Sequence, residues 1–183
     1  MDKPYLLVDI DGVVSLFAAN GAQTPVPTTR PQAVGQPSRG EPIEGALHAV
    51  DGIVHFLSST AAGHLLTLSQ SLELVWASGW EEKAEEYLPR LLGVPAGLPF
   101  IAFDRRGAGA ARTTGAHWKL ESVNEFAGER ALAWVDDAFN PACHEWAAAR
   151  GAPTLLVSTS PERGLTATET ATLLDWARLR ARR

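Results

Sequence analysis

The chain has 183 residues, 45% of them apolar and 20% charged, which excludes a disordered or low-complexity protein and fits one domain around a single core. Sixteen basic against twenty-one acidic residues leave a net charge of −5, which excludes a global nucleic-acid-binding signature. A single cysteine, Cys143, excludes an internal disulfide and suits a reducing compartment.

No apolar run is long enough to cross a bilayer, and the first one stops at Asp9, too soon for a signal peptide. The expectation is a soluble, cytoplasmic protein with no membrane partner. Arg178, Arg180, Arg182 and Arg183 form a local basic tail, which suits the C-terminal end of a helix.

The first buried strand covers residues 5–8 and ends in Asp9-Ile10-Asp11-Gly12. Carboxylates at i and i+2 lie on one side of extended chain, so Asp9 and Asp11 aim at one point beyond the strand. Like charges that close need a shared proton or a cation. Gly12 permits a turn where a side chain would crowd the pair. A strand running out into solvated aspartates before a turn would use the same residues.

From residue 15 to 44 the composition shifts to Pro, Gly, Gln, Thr and Arg, and Pro25, Pro27, Pro31, Pro37 and Pro42 exclude a helix. A loop this long is usually functional or disordered. It reads either as an irregular flap with a hairpin turn at Asn20-Gly21 or as a disordered insertion. Residues 52–57 fit the returning strand, so the flap insertion spans 15–57.

Ser59 or Thr60 then caps a helix through Leu65, Leu66 and Leu68. Residues 72–77 predict a strand ending at Ser78-Gly79, and Trp80-Glu81-Glu82 opens a helix with acids in its first turn. Residues 100–103 predict a third strand, 104–116 a loop rich in Gly, Ala and Arg, and 118–126 a helix. A fourth strand over 131–135 stops at Asp136-Asp137. Asn140 and Pro141 start a helix as cap and first residue, which ends near Gly151. A fifth strand covers 154–157. Thr166 and Glu169 make a capping-box pattern for a last helix within 165–183, with Leu173, Leu174 and Ala177 on its apolar face.

Apolar strands alternating with helices predict an α/β fold: a three-layer, doubly wound, Rossmann-like parallel sheet of about five strands in one domain over 1–183. Ligands in such sheets bind beyond the carboxyl ends of the strands. Asp9 and Asp11, Ser78, and Asp136 and Asp137 all stand there, and Lys119 opens the helix before the fourth strand. Acidic pairs at two strand ends make an oxygen-rich site suited to Mg²⁺. A hydroxyl and an ammonium suit the oxygens of a phosphoryl group, and the set describes phosphoryl transfer.

In this order the residues resemble the haloacid dehalogenase superfamily, in its Mg²⁺-dependent phosphohydrolase branch. The likeness runs from Leu6 to about Val157. The Asp-x-Asp-Gly motif after a strand is matched by Asp9-Ile10-Asp11-Gly12-Val13. The strand ending in Ser or Thr is matched by Val75-Trp76-Ala77-Ser78. The lysine at a helix start is matched by Trp118-Lys119, and the acidic strand end by Trp134-Val135-Asp136-Asp137.

The resemblance implies a phosphomonoester hydrolase in which Asp9 is the nucleophile and forms an aspartyl-phosphate. It implies that Asp11 protonates the leaving group and then activates water, and that Ser78 and Lys119 hold the phosphoryl oxygens. Mg²⁺ would be held by Asp9, the Asp11 carbonyl and the Asp136-Asp137 pair, with Asp137 as the direct ligand and Asp136 in support. Where many relatives carry a further aspartate, this chain has Ala138-Phe139-Asn140-Pro141, and Asn140 reads first as a helix cap.

The short segments between motifs imply a capless member with an open site, which admits large substrates. A phosphatase for nucleic-acid ends in repair, and a module that binds phosphorylated ligands without turnover, are the alternatives. Arg105, Arg106 and Arg112 read as solvated loop charges before they read as contacts to extra phosphates. Trp80 and Trp118 flank the expected site and read as packing before base stacking. Cys143 reads as buried filler. His48, His55, His64, His117 and His144 show no metal-ligand spacing.

Overall fold

The computed structural model describes residues 3–17, 41–103 and 117–181. The expected turn at Asn20-Gly21 and the arginines Arg105, Arg106, Arg112, Arg182 and Arg183 lie outside them.

Four parallel strands form the central sheet: β1 (Tyr5–Val8), β5 (Glu73–Trp76), β6 (Leu132–Asp136) and β7 (Thr154–Ser158), in the order β5-β1-β6-β7. Their side chains alternate between two apolar layers. Leu6, Val8, Leu74, Trp76, Ala133 and Val135 face one core, shared with helices α1 (Ser59–Leu68), α2 (Glu82–Leu92) and α5 (Ala167–Ala181). Leu7, Val75, Leu132 and Trp134 face the other, shared with α3 (Leu120–Ala127) and α4 (Pro141–Ala149), where Cys143 is buried. Burying each such Leu or Val contributes about 1.5–3 kcal/mol. Apolar cover on both faces explains why these strands read as continuous apolar runs.

The chain leaves β1 for β5 on one side and reaches β6 on the other. The strand order therefore reverses at β1, which opens a crevice at its carboxyl end.

Phe100 makes a single parallel bridge to Trp76 beyond β5, held by Trp76 N–H to the Pro99 carbonyl and Ile101 N–H to the Trp76 carbonyl, each 2.9 Å. The expected third strand over 100–103 is thus one bridge among the described residues. Pro99 brings an acceptor to that edge and no donor.

A second, antiparallel sheet follows β1: β2 (Ser15–Leu16), β3 (Gly45–Val50) and β4 (Ile53–Ser58), in the order β2-β4-β3. Part of the expected flap is therefore regular structure, and the β3 strand had no sequence reading. The hairpin turns at Asp51-Gly52, with φ of 50° and 79°, the positive pair that a two-residue primed turn requires. Its base is anchored through Glu41, whose carboxylate accepts from the Ala167 N–H at 2.8 Å and meets His64 Nε2 at 3.0 Å.

Helix ends match the cap chemistry with one shift. Ser58, not Ser59 or Thr60, caps α1, its Oγ accepting from the Ala61 N–H at 3.1 Å. Asn140 caps α4 and Thr166 pairs with Glu169 before α5 as expected. Gly164 sits at φ 65° with Val13 and Leu16 against its α-carbon. Gly164→Ala puts a methyl into the Val13 carbonyl in a left-handed conformation. A melting midpoint lowered by several degrees is expected; an unchanged midpoint would show that the turn can relax.

Candidate active site

The turn after β1 builds the centre. The N–H groups of Val13, Val14 and Ser15 all donate to the Ile10 carbonyl, at 3.2, 2.8 and 2.8 Å. This curl needs Gly12 at φ 76°, and a Cβ there would collide with the Asp137 carboxylate. Only glycine lets the first acidic motif lie against the second. Thr159, after β7, braces the turn by donating to the Gly12 carbonyl at 2.9 Å.

Asp9, Asp11, Ser78, Lys119, Asp136 and Asp137, six residues from four chain segments, line one cavity of about 250 Å³. Asp9 is 6%, Lys119 3% and Asp136 0% exposed, so their charges interact at low dielectric. The Lys119 ammonium lies 2.7 Å from Asp9 Oδ2 and 2.8 Å from Asp136 Oδ2. Asp9 Oδ1 accepts from the Ile10 N–H at 2.8 Å, and Asp136 Oδ1 from the Ala138 N–H at 3.0 Å. Both carboxylates are therefore fixed in rotation.

Burial pushes the Asp9 carboxyl up to about 7; Lys119 opposes this and Asp136 reinforces it. Burial also works against the Lys119 charge, but Asp9 and Asp136 more than offset it and hold the ammonium above its ordinary value. Asp137 is raised by burial and by Asp136. His117 is held below its ordinary value by burial.

Four carboxyl groups and one ammonium thus line the cavity among the described residues. Oxygens of Asp9, Asp136 and Asp137 lie within 4.8 Å of one another, a spacing that one oxygen-seeking divalent cation can bridge. The Gly12 curl holds Asp137 in this cluster. Asp136 spends one oxygen on Lys119 and the other on a backbone N–H, while Asp137 packs against Gly12 and leans into the cavity wall. Asp11, also on the cavity wall, has different partners: its Oδ2 accepts from Trp80 Nε1 at 3.1 Å, and its Oδ1 is 4.0 Å from His55 Nδ1.

A comparison with protein-family models finds no match, and a comparison with curated proteins finds none.

The cavity is also lined by Phe17, Gly79, His117, Trp118 and Ala138; the sequence placed Trp118 beside the expected site and His117 close to Lys119 without a role. Trp118 is 39% and Phe17 53% exposed, so both leave aromatic surface at the cavity. His117 packs edge-on against Trp134, with centroids 5.4 Å apart, and its Nδ1 lies 3.3 Å from the Lys119 N–H. Its place two residues before Lys119 was the available signal.

A carboxyl that protonates more readily folded than unfolded stabilises the fold below its ordinary value of 3.8, and that contribution is lost as pH rises through about 7. Metal-free protein is therefore expected to melt lower at about pH 8 than at about pH 5 on account of Asp9. A divalent cation held by these carboxylates would take the proton's place, and Mg²⁺ would then raise the melting midpoint more at the higher pH. Calorimetry at both values, with Mg²⁺ and with chelator, checks this. An equal shift at both, or none, would contradict a cation site at Asp9.

Proposed function

We propose that the protein is a Mg²⁺-dependent phosphomonoester hydrolase of the haloacid dehalogenase kind, acting through an aspartyl-phosphate on Asp9. The observation that carries this reading is the buried Asp9–Lys119–Asp136 group beside Asp137, at the carboxyl end of the sheet where its strand order reverses. On this reading the β2-β4-β3 sheet is the flap, and the chain at Phe100 takes the place of a fifth strand.

The chemistry follows from the side chains. Lys119 and Ser78 bind the non-bridging oxygens of the phosphoryl group and neutralise charge that develops in transfer. An oxygen of Asp9 attacks phosphorus, the P–O ester bond breaks, and a proton on Asp11 passes to the departing alkoxide. Asp11, now ionised, takes a proton from the water that attacks the acyl-phosphate, which releases phosphate and restores Asp9. Asp9, Asp137 and Asp136, with the Asp11 carbonyl, would hold Mg²⁺, which supplies positive charge that keeps Asp9 ionised and favours the phosphoryl oxygens. Binding without turnover would not need Asp11, so its presence favours an enzyme over a phospho-ligand module.

Phe17 and Trp118 at the cavity make aryl phosphates a sound first substrate. Hydrolysis of 4-nitrophenyl phosphate should require Mg²⁺, vanish in chelator and return on adding the metal. Full activity in excess chelator would overturn the metal-assisted reading.

A further inference from the structure

We propose that Trp80, braced by His55 of the hairpin, is a positioning residue that aims the Asp11 carboxyl at the leaving group. This rests on the phosphatase reading above. The indole Nε1 donates to Asp11 Oδ2 at 3.1 Å, across 69 residues of sequence. An indole N–H only donates. It therefore claims one carboxyl oxygen as acceptor and leaves Oδ1 to carry the proton that moves to the ester oxygen as the P–O bond breaks.

Trp80 is held from several sides. Its ring meets the His55 imidazole edge-on, with centroids 4.8 Å apart and planes at 67°. His55 in turn is fixed by a 2.9 Å hydrogen bond between its Nδ1 and Ser15 Oγ. The turn that carries Trp80 is set by Glu81, a non-glycine residue at φ 49° and ψ −126°. Such backbone costs energy and persists only where its surroundings impose it. Here the Glu81 N–H donates to the Ser78 carbonyl at 3.0 Å, and Glu81 Oε1 accepts from the Phe103 N–H at 3.1 Å.

The hairpin tip is tied to the same helix. Asp51 pairs with Lys83 and accepts from Tyr87 Oη at 3.0 Å, both on α2. Each exposed bond is weak by itself. Together they join the hairpin, the Trp80 turn and the residue proposed as general acid. This gives the hairpin a task in the chemistry.

Leaving-group dependence separates this role from a merely structural one. Benzyl phosphate expels an alkoxide that needs a proton, whereas 4-nitrophenyl phosphate expels a stabilised phenolate that does not. Trp80→Phe keeps the ring and removes the donor. Its single-turnover rate of phosphoryl transfer should fall about tenfold more for the benzyl ester than for the nitrophenyl ester. His55→Ala removes the brace and keeps the donor, and should shift the same ratio less. If Trp80→Phe unfolds, the His55→Ala ratio decides by itself. Equal losses with both esters, or no loss with either, would overturn the positioning role. Absence of any phosphoryl transfer by the wild-type protein would overturn the phosphatase reading, and this inference with it.

Discussion

Replacing Lys119 with methionine is expected to destabilise the fold by about 3–5 kcal/mol, the usual cost of stripping one partner from a buried ion pair. The ammonium is within 2.8 Å of two carboxylates, Asp9 and Asp136, and is itself buried. Methionine fills similar volume but leaves both acids without their cation. With a stability of roughly 5–15 kcal/mol for a domain, the midpoint should drop by about 10 °C. Three features should mark the cause as charge. The loss should shrink as pH falls and Asp9 takes a proton, since that carboxyl sits at about 7 with Lys119 in place. Mg²⁺ should restore part of the midpoint. The double variant with Asp9→Asn should be more stable than Lys119→Met alone, because one uncompensated charge is gone. A Lys119→Met protein that melts with the wild type would show that the ammonium does not offset these acids.

Asp9→Asn and Asp11→Asn are expected to fail differently. Asparagine at position 9 has the same shape but no attacking oxygen of carboxylate strength, so turnover should vanish. Asparagine at position 11 spares the nucleophile and removes the proton shuttle. Loss of general acid–base help costs roughly a hundred- to ten-thousand-fold. An ester with a good leaving group should still phosphorylate Asp9, and the slowed second step should let the intermediate collect. Steady-state rates with 4-nitrophenyl phosphate check the first claim, and undiminished turnover by Asp9→Asn would remove Asp9 from the mechanism.

The four central strands were legible because each is a short apolar run closed by polar residues, and the same punctuation marked Asp9, Ser78 and Asp136 as strand-end groups. That six residues meet in one cavity follows from the order β5-β1-β6-β7, which sets the second acidic end beside the first. The β3 strand escaped because residues 45–50 mix Gly, Ala and His with few β-branched side chains. The Asp51-Gly52 dipeptide is a turn signal of the same kind as Asn20-Gly21. Three consecutive hydroxyls at Ser58, Ser59 and Thr60 left the α1 cap ambiguous until the hydrogen bond to Ala61 chose Ser58. His55 and Trp80 could not be read as partners of Asp11. Their contacts depend on hairpin register and on the turn at Glu81, and sequence spacing encodes neither.

The central claim is a covalent phosphoryl group on Asp9. Its most direct test is the intact mass of Asp11→Asn protein mixed with Mg²⁺ and 4-nitrophenyl phosphate. The expected result is a single phosphoryl adduct that maps to Asp9, is absent from the Asp9→Asn protein, and does not form in chelator. No adduct on the Asp11→Asn protein, or an adduct on the Asp9→Asn protein, would contradict the mechanism.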